Sequence, residues 1–140
     1  MRVFFDTWGW LELRDKRGAR HAEVLAFFRS LDPNRDVIVT TDYVLDETFT
    51  ALFKRLPFSL ARESLGLIDR SVSDGYLILE RITPARFEVA KVMRLKYDDK
   101  PAISFTDLTS MAVMLELGLT QILTGDAHFT HVGLSFQLVS

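Results

Sequence analysis

The sequence predicts an α/β fold built on a central, mostly parallel sheet of about five strands. Short β-prone runs alternate with longer amphipathic ones, which is the mark of that class. Helices intervening between strands imply right-handed crossovers, and crossovers of that kind join parallel strands. A length of 140 residues with 48% apolar and 26% charged content suits one globular domain over residues 1–140, with no repeat, low-complexity segment or linker.

The β-prone runs are residues 3–5, 37–40, 77–82, 121–124 and 135–139. The first ends at Asp6, and the fourth is stopped by Gly125 and Asp126. Residues 22–31 form the first helical segment, with Val24, Leu25, Phe27, Phe28 and Leu31 apolar and Pro33 beyond its end. Residues 42–56 follow, with Val44, Leu45, Phe49, Leu52, Phe53 and Leu56 at helical spacing, Thr41 as candidate N-cap and Pro57 as the stop. Residues 59–72 close at the turn Asp74-Gly75. Residues 84–97 open on proline, which the first turn of a helix tolerates. Residues 105–117 end at Gly118, a natural C-cap. By spacing, Trp8, Trp10, Phe27, Phe28, Phe49 and Phe53 are mostly core, and Leu60, Leu65, Leu67 and Ile68 give the 59–72 helix the content of an interface.

Composition narrows the function. Cysteine is absent, which removes disulfides and thiolate metal sites. The apolar runs at 24–28 and 111–115 are too short to span a bilayer, and Asp6 falls where a secretory signal would be apolar, so the chain reads as cytoplasmic without a membrane role. A formal net charge of −2 gives no general affinity for phosphate backbones. Any nucleic-acid role must therefore come from a local site. Arg14, Lys16, Arg17 and Arg20 form one basic patch, which reads as a solvated turn between two helices.

Acidic residues gather where an open α/β sheet binds ligands, beyond the carboxyl ends of its strands. Asp6 and Asp126 follow the first and fourth runs. Asp42, Asp46 and Glu47 come just after the second, and Asp107 lies near the start of the 105–117 helix. Mg²⁺ and Mn²⁺ favour oxygen ligands, whereas carboxylates packed without a cation raise one another's pKa. A bound cation cancels that repulsion, activates water and stabilises phosphoryl charge, so the pattern suits phosphodiester hydrolysis. Each acid also has a structural reading: Asp6 as a helix cap, Asp107 at the third position of a capping box headed by Ser104, Asp126 as a turn residue, Glu47 as solvated opposite the apolar stripe. Periodicity does not choose between Asp46 and Glu47.

Four stretches together resemble the PIN-domain family, most closely its VapC-type toxins. They are Phe5-Asp6-Thr7, then Thr40-Thr41-Asp42-Tyr43-Val44-Leu45-Asp46-Glu47-Thr48, then Ser104-Phe105-Thr106-Asp107-Leu108-Thr109-Ser110, and Leu123-Thr124-Gly125-Asp126-Ala127-His128-Phe129 followed by Gly133. The resemblance implies a three-layer α/β/α PIN-like domain and a four-carboxylate site of Asp6, Glu47, Asp107 and Asp126, choosing Glu47 over Asp46. It implies an endoribonuclease dependent on Mg²⁺ or Mn²⁺, an RNA substrate, a cognate antitoxin and a homodimer. Thr7, Thr106 and Thr124 are candidate orienters of the acids. Trp8 and Trp10 stand where smaller residues are common, and Gly125 where a bulkier one often precedes the fourth acid.

Other readings compete less well. A haloacid-dehalogenase-type phosphatase needs a second Asp where Trp8 stands. A response-regulator receiver needs an acceptor Asp after the third strand and a Lys after the fifth. The alternative of another class is a PIN-like module that binds RNA or protein without cutting. His128 and His131 form an H-x-x-H, but without further Cys or His they read as a surface turn rather than a zinc site.

Overall fold

Val3, Phe4 and Phe5 are all fully buried, so both faces of the first strand are covered, as expected of a central parallel strand. The computed structural model describes residues 1–132 and the backbone of 137–138. Its strands are β1 (Arg2–Phe5), β2 (Val37–Thr41), β3 (Leu77–Glu80), β4 (Gln121–Leu123) and β5 (Gln137–Leu138). They pair in the order β3-β2-β1-β4-β5, and every pairing is parallel. Val3 stands opposite Ile38 on one side and Gln121 on the other. The strand order therefore reverses at β1, and the crevice at such a switch point is where ligands bind. Of the expected fifth strand (residues 135–139), Ser135, Phe136 and Val139 lie outside the described residues, as do Gly133 and the side chain of His131.

The helices are α1 (Thr7–Arg14), α2 (His21–Ser30), α3 (Asp42–Arg55), α4 (Phe58–Ser73), α5 (Pro84–Lys96), α6 (Phe105–Leu117) and the single turn α7 (His128–His131). α5 packs on α6, and α1 packs against α2 and α3, so helices flank the sheet as the fold class requires. The caps follow local chemistry. Thr41 Oγ1 accepts the Val44 N–H at 3.1 Å, and Ser104 Oγ accepts that of Asp107 at 3.0 Å. Gly118 closes α6 at φ 68°, a left-handed conformation that costs glycine little. Among the described residues no helix is long and apolar enough to cross a membrane.

α6 is buried almost all round, from Asp107 through Met114, and so forms part of the core rather than a cover for it. Its entry is pinned by Arg94, whose guanidinium donates to the carbonyls of Ile103, Tyr97 and Lys100. Trp10 is buried against Phe5, with ring centroids 4.8 Å apart. Phe28 and Phe53 sit at the margin instead, each more than a third exposed. On α4 the expected interface residues divide. Leu60 and Leu67 are exposed, but Ile68 belongs to the core, so a charge placed there would unfold the chain rather than report on assembly.

Candidate metal centre

Asp6 leaves β1 with its N–H bonded to the Leu123 carbonyl at 3.1 Å, which fixes it against the end of β4. Its side chain is buried, and Thr124 Oγ1 donates to its Oδ2 at 2.7 Å. The same hydroxyl accepts the Asp126 N–H at 3.1 Å. One threonine thus ties two acids from neighbouring strands together. Burial raises the pKa of Asp6, against the hydrogen bonds from Thr124 and Thr7, and the Asp126 charge adds to the rise.

Asp107 meets the Ser104 cap of α6 through its backbone and the other acids through its side chain, which turns toward Asp126. Its pKa is pushed up to about 8, first by burial, then by the charges of Asp6 and Asp126, with Glu47 contributing. Glu47 stands at the mouth. Thr7 Oγ1 donates to its Oε1 at 3.3 Å, and burial followed by the Asp6 and Asp46 charges raises its pKa despite that bond. The fourth acid, Asp126, accepts the backbone N–H of His128 at 2.8 Å in an Asx turn.

The structure therefore brings Asp6, Asp107 and Asp126 together and sets Glu47 beside them. Asp42 is excluded: its Oδ1 accepts the N–H groups of Ile82 at 2.9 Å and Tyr43 at 3.1 Å, tying the end of β3 to α3. Asp46 is exposed on an open groove of about 520 Å³ that runs from Glu47 and Thr50 to Lys54 and Arg55. Among the candidate orienters, Thr7 and Thr124 bond to the acids, whereas Thr106 meets Thr109 through its carbonyl.

From the sequence, His128 reads as part of a surface turn, not as a neighbour of the acids. The Asx turn folds its ring back so that Nδ1 lies 3.0 Å from Asp126 Oδ1 and 3.9 Å from Asp107 Oδ2. That nitrogen is buried, and despite its closeness to Asp126 it is not aligned for a hydrogen bond with any described residue. Its spacing, two residues past an Asp in a turn, was the available signal. The departures at Trp8 and Gly125 turn out to be one feature. A Cβ on Gly125 would come within 2.6 Å of the Trp8 indole nitrogen, so the large ring requires the missing side chain. The basic patch is largely occupied internally: Arg14 bonds Ser64, Arg17 bonds Asp15 and the Arg55 carbonyl, and Arg20 bonds Glu23.

This donor set fits a hard divalent cation. Buried carboxylates with raised pKa values gain most from a cation that lets them ionise together, and Asp107, Asp126 and His128 each present a ligand atom within 4.8 Å of the others.

The sequence pattern of the PIN domain family matches residues 3–134. The crystal structure of VapC20 from Mycobacterium tuberculosis, described as a toxin that cleaves the sarcin–ricin loop, is 29% identical. It superimposes with a TM-score of 0.84 over 98% of both chains. A chain of VapBC2 from Rickettsia felis, solved on a promoter DNA fragment, gives 14% identity and a TM-score of 0.71 over 99% of this chain and 98% of that one. VapBC-1 from nontypeable Haemophilus influenzae gives 16% and 0.66, over 100% and 98%. The last two share the fold alone. No curated protein sequence matches.

Proposed function

This chain belongs to the PIN domain family, and from that premise we propose that it is a divalent-metal-dependent endoribonuclease, the toxin of a type II toxin–antitoxin pair. One observation carries the reading: acids from three separate elements converge at the switch point of the sheet with raised pKa values, and among the described residues no Lys or Arg pairs with them. Such repulsion is costly unless a cation relieves it. Asp6, Glu47, Asp107 and Asp126 are the proposed ligands of Mg²⁺ or Mn²⁺, directly or through water. The cation would supply charge stabilisation on the phosphoryl oxygens and a more acidic water. Thr124 and Thr7 orient Asp6 and Glu47. The groove ending at Lys54 and Arg55 gives a flanking phosphate a cationic rest on a chain that is otherwise slightly acidic.

The single domain over residues 1–140 would act in the cytoplasm and be held in check by an antitoxin. A cavity of about 610 Å³ between α1, α2 and α4 has an apolar floor of Leu13, Leu25, Leu56 and Leu60. Its rim mixes Arg14, Lys16, Arg17 and Arg29 with Asp15 and Glu63, and Arg14 and Arg17 are paired internally, so the apolar floor is what suits an amphipathic segment of that partner. Phe58, Leu60 and Leu67 on α4 offer apolar surface for a homodimer.

The test is cleavage of a mixed structured RNA and of a sarcin–ricin stem-loop, the latter chosen for the likeness to VapC20. Each is run with Mg²⁺, with Mn²⁺ and with EDTA. Metal-dependent products that vanish in Asp6→Asn support the proposal. Metal-dependent RNA binding without products, across several RNA pools, would move it to a non-cutting module.

A further inference from the structure

The four proposed carboxylate ligands leave unexplained why the chain turns an imidazole nitrogen toward two of them, Asp107 and Asp126. His128 Nδ1 is buried, 3.0 Å from an Asp126 oxygen and 3.9 Å from one of Asp107, yet no described group meets it with hydrogen-bond alignment. A buried polar atom without a partner costs about 1–3 kcal/mol, so native proteins rarely leave one unless something else binds there. The Asx turn at Asp126 holds the backbone that aims the ring, so the orientation is built in rather than incidental. The ligand atoms of Asp107, Asp126 and His128 all lie within 4.8 Å of one another, close enough for small side-chain rotations to bring all three onto one ion.

We infer that His128 Nδ1 is a direct nitrogen ligand of the cation shared by Asp107 and Asp126, which biases the centre toward Mn²⁺ over Mg²⁺. The inference rests on the metal-site reading above and adds to it a ligand of different chemistry. Carboxylates alone suit Mg²⁺ and Mn²⁺ alike. Mn²⁺ also prefers oxygen, but as a transition metal it accepts an imidazole more readily than Mg²⁺, which binds oxygen and dehydrates reluctantly. Replacing a carboxylate or water by imidazole therefore raises affinity for Mn²⁺ more than for Mg²⁺.

The experiment is pulsed electron paramagnetic resonance of the full chain loaded with Mn²⁺. It compares wild type, wild type carrying ¹⁵N-labelled histidine, and His128→Gln, with Mn²⁺ and Mg²⁺ affinities measured by calorimetry on the same samples. Directly coordinated nitrogen is expected in the wild type, converted to the ¹⁵N pattern by labelling and absent from His128→Gln. Mn²⁺ affinity should fall at least about tenfold in that variant, the lower end of what losing even an outer partner of a metal ligand costs. Mg²⁺ affinity should change by less. Mn²⁺ bound with no nitrogen coupling, or with coupling that persists in His128→Gln, overturns the inference and leaves the carboxylate site standing. Failure of the wild type to bind Mn²⁺ or Mg²⁺ overturns the metal-site reading, and this inference with it. The labelled wild type keeps the test decisive even if the variant folds poorly.

Discussion

The two ends of the sheet treat aspartate in opposite ways. At the amino end, Asp36 accepts the N-terminal amine of Met1 at 2.8 Å, and its pKa is lowered chiefly by that bond. Nearby, Arg2 donates to the Leu117 and Gly118 carbonyls at the end of α6. Asp36 and Arg2 each meet an opposite charge or a helix-end dipole there. At the carboxyl end, Asp6 and Asp107 are buried among other acids and their pKa values rise. The same residue type holds strands in place at one end and is buried beside other acids, where ionising is costly, at the other. Buried groups with raised pKa values gather at functional sites, which is the ground for proposing the site at the carboxyl end.

That contrast predicts graded consequences. The largest belongs to Asp6→Asn and Asp107→Asn. Each should reduce RNA cleavage by more than the roughly 10–100-fold that supporting partners of a metal ligand cost, while circular dichroism shows the fold intact. Thr124→Val comes next, since it strips one hydroxyl from both Asp6 and the Asp126 N–H. Cleavage should drop about 10–100-fold, with a stability loss of about 1–3 kcal/mol measured by urea unfolding. Gly125→Ala should cost about 1–3 kcal/mol through overpacking against Trp8, and Trp8→Ala in the same chain should recover most of it. Recovery would mark the two departures from the family pattern as one compensated change. Asp36→Asn, at the opposite end, should leave cleavage unchanged and lower the melting temperature slightly at neutral pH. Because the Asp36 pKa is lowered on folding, its contribution is present above the ordinary carboxylate range and disappears as pH falls through the folded value. The variant and wild type should therefore converge in acid.

Much of the carboxyl end was legible in the sequence because strand-end acids and capping residues announce themselves locally. Thr41, Ser104 and Gly118 cap as their identities require. Glu47 was not legible from periodicity: opposite the apolar stripe, it is exposed in the fold as expected, and what ties it toward Asp6 is the hydroxyl of Thr7, forty positions away. α1 lay beyond the pattern for a related reason. Its burial of Trp10, Leu11 and Leu13 is set by packing on β1 and neighbouring helices rather than by a clear stripe. The place of His128 was hidden because a turn folds its ring back beside Asp126 and toward Asp107, twenty-one positions earlier in the chain. Asp42 had the opposite fate: a plausible edge acid by position, it is consumed by the Ile82 N–H.

The most direct test of the central claim is the melting temperature from pH 5 to pH 9, with EDTA and with saturating Mn²⁺, for wild type and Asp107→Asn. In the folded metal-free chain the Asp107 carboxyl holds its proton to about 8, whereas the unfolded chain releases it near 3.8. Folding therefore binds a proton between those values, and stability without metal should fall as pH rises through that window and level off above it. Asp6 and Glu47, also raised, push in the same direction. Mn²⁺ should restore stability, by more at pH 8 than at pH 5, and Asp107→Asn should flatten the metal-free slope and shrink the metal response. A wild-type melting temperature that ignores both pH across this range and Mn²⁺ would contradict the account, because the carboxyl end would then be neither strained by its acids nor relieved by a cation.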